Sequence, residues 1–235
     1  LLKLIRLEYR KTNLRPYTLS VIIATILFIG FIYLFAYIPR IDEDPELLMF
    51  AEYSTVSGLL ILVSLTTYSV LASAMFAKMV IDTFDANSLT LIYSYPVRRS
   101  AILLSKIIAV LLFTAAAMMI SNTVVFTLFF LTESISPLVN DTFVSSVVLD
   151  ALSLTLLSMA AMSAISVTAM TIGLYRQSVP LTIISTVVIL ASTNNVFMEV
   201  LSNPVILLVT LVLCIVVLSV STLLAAKHVR DLEVA

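Results

Sequence analysis

Charge is scarce in this chain: Lys, Arg, Asp and Glu make up 11% of its 235 residues, while 61% are apolar. Soluble domains carry about 25% charged residues, so there is too little polar surface here to face water on every side. Glycine is scarcer still. With only Gly30, Gly58 and Gly173, no GxxxxGK[ST] phosphate loop can be assembled, which excludes that route to nucleotide binding. The single histidine, His228, lies near the C-terminus, so no His-based metal site or Ser-His pair can form inside the apolar runs. The single cysteine, Cys214, lies within such a run; it can form no internal disulfide and reads as a small core hydrophobe.

What the chain has is long apolar stretches. A helix needs about 20 mostly apolar residues to cross roughly 30 Å of hydrocarbon. By that rule six spans are expected, at about 17–39, 55–77, 102–131, 144–174, 179–198 and 204–226. The first is too long for the core of a signal peptide and no small-x-small cleavage site follows it, so it reads as a retained span. The expected fold is an all-α integral membrane protein, a single transmembrane domain over residues 1–235.

The basic residues orient it. Six crossings put Lys3, Arg6, Arg10, Lys11, Arg15, Lys78, Arg98, Arg99, Lys106, Arg176, Lys227 and Arg230 on one side, 12 of the 13 Lys and Arg, with only Arg40 opposite. Lys and Arg stay on the cytoplasmic face, so both termini are expected in the cytoplasm of a cell-membrane protein. The other face collects Asp42, Glu43, Asp44, Glu46, Glu52, Glu133, Asp141, Asp150 and Glu199. A miscounted span would scatter this asymmetry.

Residues 1–16 are too short and too charged to cross. Leu1, Leu4, Ile5 and Tyr9 share one helical face, while Lys3, Arg6, Arg10 and Asn13 lie toward another. That is the pattern of a helix lying in the headgroup layer, with Pro16 permitting the turn into the first span; the alternative is a basic tail that only sets topology. The fourth run is rich in small residues, including Ala151, Ser158, Ala161, Ala164 and Ala169. Such residues let helices approach closely in lipid, so this span is expected inside a bundle.

Catalytic and ion-coupled constellations are missing. The carboxylates Asp42, Glu43, Asp44 and Glu46 sit in a short loop beside Arg40 and two prolines, where a solvated acidic surface is the better reading than cation binding. Ion-coupled carriers place ionisable groups or Gly/Pro-broken helices at mid-membrane. No span here has either. Asp150 comes nearest, about two turns into the fourth run, as a hydrated pore-mouth residue or a contact on a substrate pathway. If the chain moves a substrate, the energy must come from a partner.

The connection after the second span reads AKMVIDTFDANSLTLIYSYPVRRSAILLSKIIAV, residues 77–110. A simple linker needs four to six residues. This one keeps amphipathic spacing through Ile81, Phe84, Leu89, Ile92 and Tyr93, turns at Pro96, and re-enters the membrane behind Arg98 and Arg99. Tyr93, Tyr95 and Pro96 above a basic pair form the kind of aromatic anchor found in docking surfaces. An interfacial helix with topogenic arginines fits the same residues.

The run FDANSLTLIYSYPVRRSAILLSKIIAV resembles the signature of type-2 ATP-binding-cassette (ABC) exporter permeases, with Asp85, Leu89, Leu91, Tyr95, Pro96, Val97, Arg99, Leu103, Leu104 and Lys106 as the matching residues. The plan is also similar: a basic elbow helix, six spans, and a cytoplasmic tail near Arg230, Asp231 and Leu232. Two positions depart from the pattern. Asp85 stands where glutamate is commoner, and Asn87-Ser88 replaces Gly-Thr.

The resemblance implies a non-catalytic permease with no cofactor of its own. It would pair with a second permease copy or paralogue and with two cytoplasmic ATPase subunits that carry the ATP and magnesium. Asp82, Phe84, Asp85, Leu89, Ile92, Tyr93, Tyr95, Pro96, Val97, Arg98 and Arg99 would form a coupling helix seated in a groove of the ATPase. Permeases of this size resemble exporters of bacitracin, lantibiotics or staphylococcal amphipathic peptides, so a peptide cargo is expected in the bilayer setting, and no nucleic acid. The alternatives are export of lipophilic drugs or lipids, an immunity or signalling complex, an ion-coupled carrier, and an intramembrane enzyme.

Overall fold

The computed structural model describes residues 2–41, 53–81, 99–135, 145–200 and 204–234, and among them all regular structure is helical. The helices are α1 (Leu2–Lys11), α2 (Arg15–Ile41), α3 (Tyr53–Met79), α4 (Arg99–Ile135), α5 (Ser145–Arg176), α6 (Val179–Val200) and α7 (Pro204–Val234). Each forms for the same reason. In hydrocarbon an unpaired backbone amide or carbonyl costs several kcal/mol, and a helix pairs all but its end groups internally. Three of the helical prolines, Pro16, Pro180 and Pro204, lie in first turns, where no amide hydrogen is needed; the fourth, Pro39, falls in the last turn of α2.

Five of the helices, α2, α3, α4, α5 and α7, have the length and apolarity to cross a membrane. The expected fifth span corresponds to α6. That helix has 22 residues, roughly 33 Å at 1.5 Å per residue, but its described apolar stretch, Val179–Thr193, is shorter than the others. At the far end of the chain, α7 continues to Val234 and keeps Ala225 and Val229 fully buried. The expected tail after residue 226 is therefore a helical extension packed on the bundle.

The centre of the bundle is α3 and α5. Helix α3 packs against α2, α4, α5 and α6, while α5 also touches α4, α6 and α7. The small residues of α5 make this possible: Ser158, Ala161, Ala164, Ser166 and Ala169 are all buried. Helices α2 and α7 sit outside and present apolar faces such as Ile22, Ile26, Leu208 and Val212. Hydroxyls within the bundle mostly donate to a carbonyl three or four residues back, as in Thr155 to Ala151 and Ser158 to Thr155, which satisfies them without leaving their own helix.

Between α5 and α6 the chain turns in two residues, Gln177 and Ser178. The Ser178 amide donates to Gly173 O at 3.1 Å and the Gln177 amide to Leu174 O at 3.3 Å, with Gln177 left-handed at φ 48°. This is the paired-bond helix stop usually built on glycine, here made by a glutamine.

Helix α1 lies against the start of α4. Ile5 is buried, Tyr9 Oη donates to Ala109 O at 2.7 Å, and Lys106 Nζ pairs with Glu8 Oε2 at 3.0 Å. Burial pushes the Tyr9 phenol above its usual range, so it remains a hydrogen-bond donor. Lys106 is 4% exposed and Glu8 15%. Glu8→Ala is expected to lower stability by about 2–3 kcal/mol, at or just below the lower bound for breaking a fully buried ion pair because the Glu8 end reaches solvent. Thermal unfolding in detergent checks this, and an unchanged midpoint would mean that the ion pair does not anchor α1.

Candidate functional site

One end of the bundle gathers α1, the last turn of α3, the first turns of α4, the α5–α6 turn and the C-terminal turns of α7. Tyr175 on α5 and His228 on α7 meet there with ring centroids 4.1 Å apart and their planes tilted by 37°. Arg10, Lys78, Lys106, Arg176, Lys227 and Arg230 belong to these same segments, Arg15 opens the adjoining α2, and Arg40 lies at the far end of α2. The folded chain thus brings together the charges that the sequence places on one side.

The expected coupling residues Asp82, Phe84, Asp85, Leu89, Ile92, Tyr93, Tyr95, Pro96, Val97 and Arg98 lie outside the described residues; Arg99 opens α4. Both ends of that segment are visible and both are firmly held. At the α3 end, Val80 and Ile81 are buried, and the Val80 amide continues the helical bonding to Phe76 O at 2.8 Å. At the α4 end, Leu103, Ser105 and Lys106 are buried, with Lys106 held by Glu8.

Ile81 also closes on the α5–α6 corner. A Cβ built on Gly173 would overlap the Thr182 hydroxyl and come within 2.8 Å of Ile81 Cδ1. Glycine is required here by the approach of two neighbours, not by backbone angle, since Gly173 is not left-handed. The end of α3, the end of α5 and the start of α6 therefore touch at one point, directly beneath the root of the 82–98 segment.

Inside the bundle a set of polar side chains crosses the helix interfaces. Thr25 Oγ1 and Ser121 Oγ lie 2.9 Å apart, Asn122 Nδ2 donates to Ser64 Oγ at 3.3 Å, Ser73 meets Thr186 at 2.5 Å and Thr168 meets Ser221 at 2.9 Å. The Tyr68 hydroxyl lies beside Thr25 and Ser121 but out of good bonding geometry, and Asn122 Oδ1 and Ser69 Oγ are likewise buried without a partner. At the opposite end from Lys106, the Tyr53 hydroxyl donates to the buried Glu133 at 3.0 Å. Glu133 is thus inside the bundle and not simply part of an acidic exterior.

Asn122→Leu removes a long interhelical bond, worth about 0.6 kcal/mol in a membrane protein, and an unpaired carbonyl whose burial costs about 1–3 kcal/mol. The variant is expected to match or exceed the parent in stability by up to about 2 kcal/mol. A loss of more than about 1 kcal/mol in a detergent unfolding series would show that the amide is better bonded than its geometry indicates.

Asp150 is exposed on the first turns of α5, beside exposed Val148, Leu149 and Leu152. Its side chain points away from the packed core, while Val148, Ala151 and Leu152 line a shallow apolar cleft of about 120 Å³ against Phe126 and Phe130 of α4. A larger cleft, about 260 Å³, lies at mid-helix between α5, α6 and α7, walled by residues including Ala161, Ile165, Ile189, Leu213 and Cys214. Its threonines, Thr168, Thr193 and Thr210, bond back to Ala164, Ile189 and Ile206, so the wall is effectively apolar.

The sequence reading missed Glu8 and Tyr9 as anchors, Gly173 as a contact point and Asn122 as a buried amide. Glu8 is the one acidic residue before Asp42, and Asn122 the one Asn, Gln or charged residue between Lys106 and Glu133. Those two singularities were the available signals.

The family described as ABC-2 family transporter protein matches residues 4–192. An uncharacterised protein of Bacillus subtilis (strain 168), YcbO, is 25% identical over 189 residues, covering 80% of this chain and 81% of that relative. No solved structure shows a significant match.

Proposed function

The chain belongs to the ABC-2 transporter family, a family of membrane transport subunits, and from that premise we propose that it is the permease of an ATP-driven exporter of amphipathic peptides. The family match over residues 4–192 carries the permease part of the reading, because it runs from α1 through the 82–98 segment into α6. In this reading two cytoplasmic ATPase subunits bind the ATP and magnesium, a second permease copy or paralogue completes the membrane unit, and the segment Asp82–Arg99 docks on the ATPase. Helices α2 to α7 make six crossings of the cell membrane, with both termini in the cytoplasm.

The anchoring of that segment supports the mechanism. A push on it is delivered at one end to Ile81, and through Gly173 and Thr182 to the α5–α6 corner. At the other end it is delivered to Lys106 and hence, through Glu8, to α1. Two groups of helices would then move apart, and the unpaired Tyr68, Ser69 and Asn122 atoms are those that gain water when the interfaces open.

The decisive experiment is ATP hydrolysis by the chain reconstituted with its ATPase. Amphipathic peptides should stimulate turnover several-fold. Uphill movement of any solute by the chain alone would refute the reading. Stimulation by lipophilic drugs or lipids, with none by peptides, would favour the second reading, for which the apolar cleft of about 260 Å³ between α5, α6 and α7 speaks. For orientation, cysteines placed at Asp44 and Asn87 in a Cys214→Ser background should label from opposite faces of intact cells. Labelling from one face overturns the six-crossing arrangement.

A further inference from the structure

The corner between α1 and α2 is a concavity of about 610 Å³ lined from Tyr9 to Thr18, with Arg10, Lys11 and Arg15 around it. We propose that this corner binds the phosphate of an anionic phospholipid headgroup, with Arg10, Lys11 and Arg15 as its cationic ligands.

The charge balance argues for it first. Residues 1–18 hold five cations, Lys3, Arg6, Arg10, Lys11 and Arg15, against the single carboxylate Glu8. That carboxylate is turned inward onto Lys106, so it cannot neutralise the corner. Among the described residues no carboxylate lies within ion-pair distance of Arg10, Lys11 or Arg15, and all three are exposed. Three guanidinium or ammonium groups around one hollow, with no internal counterion, call for an external anion.

The position argues for the lipid as its source. The apolar run of α2 begins immediately at Tyr17, and Leu7 and Leu19, flanking the corner, are 60% and 59% exposed. Those leucines belong in acyl chains, which sets the corner at headgroup depth. Basic pockets at the ends of spans bind anionic headgroups.

The ligands are the side chains and not the start of α2. The Arg15 amide is already taken by Asn13 Oδ1 at 3.2 Å, Pro16 has no amide hydrogen, and the Thr18 amide bonds to Leu14 O at 2.9 Å. Binding therefore depends on the three cations.

The test measures lipid retention and thermal stabilisation of the purified full-length chain, without any ATPase, in phosphatidylcholine vesicles with and without phosphatidylglycerol. Phosphatidylglycerol should bind and raise the unfolding midpoint of the parent. The variant Arg10→Gln/Lys11→Gln/Arg15→Gln should bind it roughly a hundredfold more weakly, at about a fivefold loss per cation. A control with the same number of charges removed at the same end, Arg6→Gln/Lys227→Gln/Arg230→Gln, should bind like the parent. If the triple variant does not fold, Lys11→Gln alone should show the fivefold loss. Equal weakening by the control would reduce the effect to net charge and overturn the site. Inorganic phosphate reproducing the stabilisation without anionic lipid would overturn the lipid assignment. So would unaltered phosphatidylglycerol binding by the triple variant.

Discussion

Gly173→Val will destabilise the bundle by about 3 kcal/mol or more and sever the contact between the end of α3 and the α5–α6 corner. A single Cβ at this position already overlaps the Thr182 hydroxyl and stands 2.8 Å from Ile81 Cδ1. Neither neighbour can retreat cheaply. Thr182 is fully buried and its hydroxyl is bonded to Ser178 O at 3.2 Å, while Ile81 is 3% exposed and lies just past the end of α3. Overpacking costs typically about 1–3 kcal/mol, and valine adds two γ-methyl groups to a site with no room for the first carbon. Gly173→Ala should cost less, about 1–2 kcal/mol, and Gly173→Ala with Thr182→Gly should recover most of it by exchanging which helix carries the side chain. Thermal unfolding in detergent reads all three. An unaltered midpoint for Gly173→Val would mean that the two helices are not in close contact. If stability falls but is restored in the exchanged pair, ATP-driven transport by that pair tests whether the corner also carries force.

The sequence allowed the helices to be placed because apolar length alone decides them in a bilayer. The runs at 17–39, 55–77 and 144–174 lie within a few residues of α2, α3 and α5. Helix ends were harder. The run at 102–131 became α4 over Arg99–Ile135 and the run at 204–226 became α7 over Pro204–Val234, because a polar residue such as Lys227 or Arg230 ends a hydrophobic run without ending a helix. The rotation of each helix was not legible at all. Helices that are apolar around their circumference carry no facing signal, so the sequence placed Asp150 near one end of its span without saying that its side chain lies on the exposed side of α5. Side-chain partners 58 and 98 residues apart, Ser64 with Asn122 and Glu8 with Lys106, depend on that rotation and so could not be paired beforehand. The amphipathic α1 showed which of its sides is apolar but not what that side meets: Ile5 is buried and Tyr9 bonds to Ala109 near the start of α4.

Tyr95→Asp/Pro96→Asp is expected to abolish association with the ATPase while leaving the chain inserted and folded. An aromatic anchor in a docking groove contributes about 2 kcal/mol or more on truncation, and a carboxylate forced into the same groove adds the cost of losing its water. Two such substitutions together exceed about 4 kcal/mol, roughly a thousandfold in affinity. Folding should survive because the segment's two roots are fixed independently of its middle, by buried Val80 and Ile81 on one side and by Leu103 and the Lys106–Glu8 pair on the other. The unfolding midpoint is therefore expected to shift by less than the equivalent of about 1 kcal/mol. Tyr95→Phe, which keeps the ring, should retain association. Co-purification of the ATPase with each variant separates the outcomes: undiminished recovery with the double aspartate variant would move the docking surface away from Tyr95 and Pro96. Recovery lost only together with stability would return those residues to a purely structural role in holding the start of α4.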